Sequence, residues 1–546
     1  MGELVGDVLP VAVRVWTTRD TSNGEDGTWE PVPARVRERR YPAEALVFDT
    51  ETRDEASQRL LVGVWRFYRD DPDTGHHGET CIEEGFFYPD DLPERDPAGW
   101  QHLREYVAAN RADDVAAGFP RQVQLRPLSW WLEHRLYRYG VRHRNRCAIV
   151  GFNLPFDFGA LAQHWSPARG RYRGGWSLGL WGEFDDTGTW HDRRYHPRLK
   201  LKAIDPRRTL FGWGTTGTEG QPSQDDADMR GHRRFVDLRT LTFALTDGSH
   251  TLETACAAFG NDYTKPKVTY GVINPDMLRY ARQDVAHTAQ LYRNCYTELG
   301  RHPGIDLQPH ALYSPAGVGA AYLKAMNLTP PLGKFKKDLD PRLLGWTMSA
   351  FFGGRAEARI VRTPVPVVVA DFTSMYPAIN ALLNTWPILT AERVTVDDVT
   401  RQVRSLVDDL QLVDRLFDPA RWGDDIGTTL VQLDNPDGVI LPIRASFDPK
   451  SPDFGIGVNP LTYEGCPWYA LPDVLAAAIL GDAPIRIARA LRLTPHGRQP
   501  NLRPVQLRGT KPVDPRQETN PFVAMIEERH RVKHAADIDP TEAERL

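Results

Sequence analysis

Two carboxylates one residue apart, Asp49 and Glu51, close a short apolar run, Ala45-Leu46-Val47-Phe48. Side chains alternate with a period of two along an extended segment, so both acids fall on one side and can reach the same cation. Asp157 ends the segment Asn153-Leu154-Pro155-Phe156-Asp157, just after a second apolar run from Cys147 to Phe152. Tyr280 and Asp284 stand four apart where the apolar spacing (Met277, Tyr280, Ala281, Val285, Leu291, Tyr292) is that of a helix, so they share one of its faces. Each motif alone has a plain structural reading: a strand end, an Asp-capped turn, a helix-surface tyrosine beside an acid. Together they meet one physical demand. Two divalent cations about 4 Å apart need several carboxylates, and such a cluster repels itself unless cations fill it. Oxygen ligands with no Cys or His among them favour Mg2+ or Mn2+ over Zn2+.

The elements that must position these groups follow an α/β order. Residues 45–49 and 60–65 read as two adjacent buried strands, 147–152 as another strand, and 275–296 as a helix. Functional groups of α/β sheets gather just beyond strand ends, which suits Asp49 and Asp157. Residues 1–40 are polar and turn-rich and read as an irregular or small β appendage. Residues 165–234, rich in Gly, Trp, Arg and Asp without helical periodicity, read as an insertion, with 212–230 as its flexible loop. A change of composition at Pro330-Pro331-Leu332-Gly333 and Lys334–Lys337 marks the join between two functional halves. Beyond it, Val365 to Ala370 reads as a buried strand ending on Asp371, 472–480 as a short helix, and 522–536 as a helix carrying Arg529, Arg531 and Lys533.

With 546 residues the chain exceeds what one hydrophobic core serves, so two to four domains are expected. A 41% hydrophobic and 25% charged composition is that of a globular protein, and the apolar runs are too short to cross a bilayer. Five scattered cysteines with no C-x-x-C pair argue against a disulfide framework or a structural zinc, and for a reducing, cytoplasmic setting. The net charge of −5 gives no global attraction to nucleic acid, so DNA contact must come from local basic surface. Two stretches could supply it, 193–208 and the acid-free 486–511, although a charge run is as readily a solvated face.

The order D-x-E, N-x-x-x-F-D, Y-x-x-x-D, with the middle motif one residue short, resembles the three exonuclease motifs of the proofreading domain of family B DNA polymerases. Phe235-Val236-Asp237-Leu238 and Leu252-Glu253-Thr254-Ala255 are similar to the strand and helix between the second and third motifs. The resemblance implies a ribonuclease-H-like 3′→5′ exonuclease over 41–300. In it Asp49 would bridge two metals, Glu51 and Asp284 would complete the first, Asp157 would hold the second, and Tyr280 would orient the attacking water. Asn153 and Phe156 would guide the terminal nucleotides. One metal-bound water would attack the terminal phosphodiester in line while the other ion stabilises the departing 3′ oxygen.

Asp371-Phe372-Thr373-Ser374-Met375-Tyr376-Pro377-Ala378-Ile379 resembles the first palm motif of the same family, with Met for Leu and Ala for Ser. The resemblance implies that Asp371 binds catalytic metal, that backbone amides after it hold a triphosphate, that Ser374 belongs to the nucleotide-binding residues, and that Tyr376 excludes a ribose 2′-hydroxyl. Phe351-Phe352-Gly353-Gly354-Arg355 is similar to the Y-x-G-G segment between exonuclease and palm. Its Gly353 and Gly354 would allow close approach to DNA phosphates and Arg355 would add charge. Residues 301–364 would then be a connecting region, and 365–546 a partial palm with the start of the fingers, where Arg531 and Lys533 would meet nucleotide or DNA. The fingers helix and the second palm motif are not found, and Asp537-Ile538-Asp539 lies in a polar tail with no strand before it. The fold expected is therefore multidomain α/β, and the function that of the exonuclease-bearing part of a split or truncated polymerase needing a second polypeptide for synthesis. A stand-alone nuclease and a catalytically silent DNA-binding scaffold are the alternatives.

Overall fold

A computed structural model describes residues 42, 44–69, 80–112, 122–142, 147–193, 196–214, 235–330, 340–350, 360, 363–368, 370, 372, 374–409, 412–418, 422, 426–434, 440–444, 456–460, 468–517 and 520–534. The chain divides into two compact units, Arg35–Tyr322 and Leu323–Arg531.

In the first unit β1 (Glu44–Thr52) pairs antiparallel with β2 (Leu60–Arg69), and β2 with β3 (Thr80–Tyr88). β4 (Gln124–Pro127) runs parallel to β3 at one edge. On the other side of β1, β5 (Cys147–Gly151) lies parallel to it. The chain then leaves this sheet for a second one built from β6 (His164–Pro167), β7 (Trp176–Gly179), β10 (Leu199–Asp205) and β11 (Arg208–Trp213), all antiparallel. A small hairpin, β8 (Gly182–Phe184) and β9 (Trp190–Asp192), projects from it. The chain returns as β12 (Phe235–Asp237), parallel to β5, to complete the order β12-β5-β1-β2-β3-β4.

Both faces of the six-stranded sheet are covered around β1, β2 and β5, which is why 45–48, 60–65 and 147–150 read as apolar runs. Alternation sends Ala45 and Val47 into one core and Leu46 and Phe48 into the other. The long helix Pro275–Gly300 fills the first core with Met277, Ala281, Val285 and Leu291, spaced so that one stripe faces the sheet. The helix Leu154–Leu161 packs Leu154, Phe158 and Leu161 into the second. The described part of the segment read as an insertion is thus built mainly of β-strands. Its strands are short and Leu178, Leu199, Phe211 and Trp213 bury one face of the sheet, a pattern that helical periodicity does not register. The loop expected at 212–230 lies mostly outside the described residues, as do residues 1–40.

The second unit holds an antiparallel sheet of β13 (Arg393–Asp398), β14 (Thr429–Leu433), β17 (Trp468–Ala470) and β18 (Ile487–His496), in the order β13-β18-β14-β17. A two-stranded ribbon, β15 (Ile440–Arg444) with β16 (Ile456–Pro460), stands beside it in sequence. The helix Leu471–Leu480 closes the core with Leu471, Val474 and Leu475 against Val431, Leu433 and Ile487. The apolar run before Asp371 is a correction to the expectation of a buried strand. Residues 363–368 form no strand, and Val367 and Val368 are 74% and 94% exposed. An apolar run becomes a buried strand only where a sheet edge and a covering layer receive it, and this sheet closes without it among the described residues. Among the described residues no helix is long and apolar enough to cross a membrane.

Candidate active site

β1 carries Asp49 and Glu51 on the parity of Ala45 and Val47, hence toward the helix Pro275–Gly300. That helix starts at Asn274, whose side chain accepts from the Met277 amide, with Pro275 at its first position. It turns Tyr280 and Asp284 back toward the strand. Asp157 arrives from the other side. Asn153 takes a left-handed conformation (φ 70°), its amide donates to Asp237 at 2.9 Å, and the helix Leu154–Leu161 follows with Asp157 in its first turn. With Leu154 and Phe158 buried in the second core, Asp157 is left at the strand end, where its Oδ1 accepts from the Thr50 amide at 3.0 Å and the Thr50 hydroxyl at 2.8 Å. All five predicted residues line one open cavity of about 520 Å³, together with Asn153 and Phe156.

The cavity is electrostatically loaded. Burial first, then the charge of Asp284, pushes the Asp49 carboxyl up to about 7. Glu51 is raised well above the usual carboxylate range by burial and by Asp49 and Asp284. Burial and the charge of Asp49 raise Asp157 in the same way. Asp284, 6% exposed, is raised by burial against the opposing effect of its hydrogen bonds from Tyr263 and Tyr280. Burial and Asp284 keep both phenols protonated far above their ordinary range, so each remains a donor.

Among the described residues no three His, Cys, Asp or Glu side chains are already arranged around one ion. Asp157 is ordered by Thr50, and Asp284 by Tyr263 and Tyr280. The donor set nevertheless fits a hard divalent cation: four carboxylates face one cavity and are forced toward protonation by burial and mutual repulsion, which a cation would relieve.

Three contributors were not legible in the sequence. Tyr263 fixes Asp284 from the loop before the long helix. Lys265 lines the cavity, lowers Asp49, Glu51 and Asp284, and stands 5.2 Å from the Tyr280 ring centre. Arg239 donates to the Asn153 side chain at 3.1 Å. Their loop and helix-start positions carry no periodic signal; only the basic or phenolic side chain near a carboxylate motif could have pointed to them. Phe156, 39% exposed, sits on the cavity wall.

Of the second set of residues, Gly353, Gly354, Arg355 and Asp371 lie outside the described residues. Ser374 adopts φ 54° and precedes the helix Met375–Leu382, on which Tyr376 is 72% exposed. The Ser374 hydroxyl accepts from Arg529 at 3.2 Å. Arg531 is engaged in a double hydrogen bond to Glu528, at 2.7 and 2.9 Å, and this holds Glu528 down at about 2. Lys533 lies on the same helix, Pro521–His534.

No protein-family model matches the chain, and none of the curated proteins does. Among solved structures it is similar to phi29 DNA polymerase. In the ternary complex with primer-template DNA and incoming nucleotide, 92% of this chain aligns with 67% of that one at 11% identity, TM-score 0.35. In the orthorhombic crystal form the shares are 92% and 66%, at 10% identity and TM-score 0.35.

Proposed function

We propose that the first unit is a two-metal 3′→5′ DNA exonuclease of ribonuclease-H-like fold. The observation that carries this is the meeting of Asp49, Glu51, Asp157 and Asp284 with Tyr280 in one open cavity. The mixed sheet, in which β1 carries Asp49 and Glu51 and its parallel neighbour β5 leads into the helix that carries Asp157, supports the fold assignment. The order of the motifs along the chain supports the 3′→5′ direction. Asp49, Glu51, Asp157 and Asp284 would hold two Mg2+ or Mn2+ ions. When bound, such ions supply a water of lowered pKa and stabilise the charge of the departing oxygen. The Tyr280 hydroxyl, kept protonated and donating to Asp284, leaves its oxygen as an acceptor that would orient the attacking water. Phe156 offers a ring to the terminal base, and Asn153, oriented by Arg239, a polar edge to the terminal nucleotide.

End-labelled single-stranded DNA with Mg2+ or Mn2+ tests the proposal. Stepwise loss from the 3′ end is expected, with a drop of at least about a thousandfold in Asp49→Ala. No digestion with either metal would sink it.

A second reading places this nuclease in a split polymerase. The observation favouring it is the exposed apolar stretch at the palm-like motif, where Val368 is 94%, Phe372 78% and Tyr376 72% exposed, as a surface awaiting a second polypeptide would be. Co-purification with the products of neighbouring genes, followed by primer extension, tests it. A partner that lacks the N-S-x-Y-G and D-T-D-S motifs and gives no extension would remove this reading and leave the nuclease untouched.

A further inference from the structure

The second sheet of the first unit has features that the hydrolytic site does not use. Trp165 on β6 and Trp176 on β7 are diagonal neighbours across the strand pair, since Trp165 is opposite Leu178 and Pro167 is opposite Trp176. Their rings meet edge to face at 4.9 Å, yet they are 60% and 48% exposed. On the buried part of the same face Leu178, Leu199 and Trp213 pack into the core, so the two tryptophans are where that face passes beyond its cover. Large rings held rigid and left in solvent are costly unless something stacks on them.

Between the two strands runs Arg169-Gly170-Arg171-Tyr172-Arg173-Gly174-Gly175, which has three exposed arginines and no acid. The turn is built rather than loose. The amides of Tyr172, Arg173 and Gly175 donate to Arg169, Gly170 and Tyr172, and the Tyr172 hydroxyl donates to the Phe211 carbonyl at 2.8 Å. Gly170 and Gly174 supply its positive φ angles, 61° and 87°. Arg198, by contrast, is drawn inward to Ser177, His164 and Asp192, so the outward charge comes from the turn.

This face is tied to the cavity in two ways. The helix bearing Asp157 runs almost directly into β6. Four helical and four extended residues from Asp157 to Trp165 span at most about 19 Å. Arg171 is near enough to Tyr313 to act on its hydroxyl, as is Asp237, the residue that fixes Asn153 at the cavity.

We propose that Trp165, Trp176 and the arginine turn form a track for single-stranded DNA, on which nucleotides upstream of the one in the cavity stack and are neutralised. The track rests on the nuclease reading for its direction, with the 3′ end in the cavity. Aromatic rings interleaved with arginines bind single strands without sequence preference, because every base has a face to stack and every nucleotide a phosphate.

The test uses the full chain and two probes. Binding of a 5′-fluorescein oligothymidine of about 12 nucleotides is read by anisotropy in EDTA, so that no hydrolysis is needed. Turnover of the p-nitrophenyl ester of thymidine 5′-monophosphate, which fills the cavity alone, is read with Mn2+. In the surface variant Trp165→Ala/Trp176→Ala, oligonucleotide affinity is expected to fall at least about tenfold while ester turnover is unchanged. In Arg169→Gln/Arg173→Gln, the slope of log affinity against log salt is expected to drop by about 1.4. Unchanged affinity in the tryptophan variant overturns the track. So does an equal loss on both probes, which marks a disturbed cavity, and so does lost self-association with oligonucleotide binding intact, which assigns the face to a second copy of the chain. If the tryptophans govern binding but nothing is hydrolysed, the nuclease reading fails and the track stands.

Discussion

Burial and the charge of Asp284 push the Asp49 carboxyl up from an ordinary 3.8 to about 7 in the folded chain. Between these values the folded state holds more protons than the unfolded one, so stability falls as pH rises. The metal-free protein is therefore expected to melt at progressively lower temperature from about pH 4 to about pH 7, a trend that Asp49→Asn weakens and divalent cation reverses. Differential scanning fluorimetry with and without Mg2+ reads this directly; a flat metal-free profile would refute it. Lys265 acts in the opposite sense, since its ammonium lowers Asp49, Glu51 and Asp284. Removing it in Lys265→Ala raises all three, so the acid limb of the hydrolysis profile should move to higher pH, with several-fold loss at pH 6 recovered at alkaline pH. A uniform loss at every pH would assign Lys265 another role. Tyr263 holds Asp284 through one hydrogen bond, and Tyr263→Phe should weaken cation binding measured by calorimetry while the fold persists.

At the scale of elements, the register between the long helix and the sheet decides whether Tyr280 and Asp284 meet β1 at all. A buried ion triad sets it. Glu84 on β3, 1% exposed, receives Arg66 of β2 at 3.0 Å and Arg282 of the helix at 2.8 and 2.9 Å. Arg282 lies between Tyr280 and Asp284 in sequence, so the triad clamps the turn that carries both. Removing one partner of such a group strands buried charge, and Glu84→Ala should cost about 3–5 kcal/mol in urea unfolding. Replacing the triad with apolar residues of similar volume would be far milder for stability. A loss under about 1 kcal/mol in Glu84→Ala would show that helix packing alone sets the register. The link from Thr50 to Asp157 does the corresponding work between β1 and the helix Leu154–Leu161.

For the whole molecule, the cavity and every residue lining it belong to the first unit, which has cores on both sides of its sheet. A fragment of residues 42–322 is therefore expected to fold and, on the nuclease reading, to hydrolyse single strands as the full chain would. A soluble, cooperatively folded fragment with no activity would mean that the second unit completes the site. The second unit brings its own sheet and core, and its exposed apolar stretch around Phe372 and Tyr376 is where a completing polypeptide would be sought.

That Asp49, Glu51, Asp157, Tyr280 and Asp284 could come together was legible because each sits in or next to an element with a strong apolar pattern. Asp49 follows Ala45-Leu46-Val47-Phe48, and Tyr280 and Asp284 lie on a helix whose buried stripe is evident from spacing. Local periodicity, strand parity and helix pitch thus determined which side chains could face one another. Periodicity does not carry what covers a segment or what reaches it from afar. That residues 365–368 stay uncovered, that Tyr263 reaches Asp284 and Lys265 the cavity, that Glu84 clamps a helix 198 residues away, and that the described part of the Trp- and Arg-rich insertion forms a sheet were decided by tertiary structure. The physical reason is that hydrogen bonds, ion pairs and burial are satisfied by whichever group the fold brings within reach, and sequence separation places no limit on that choice.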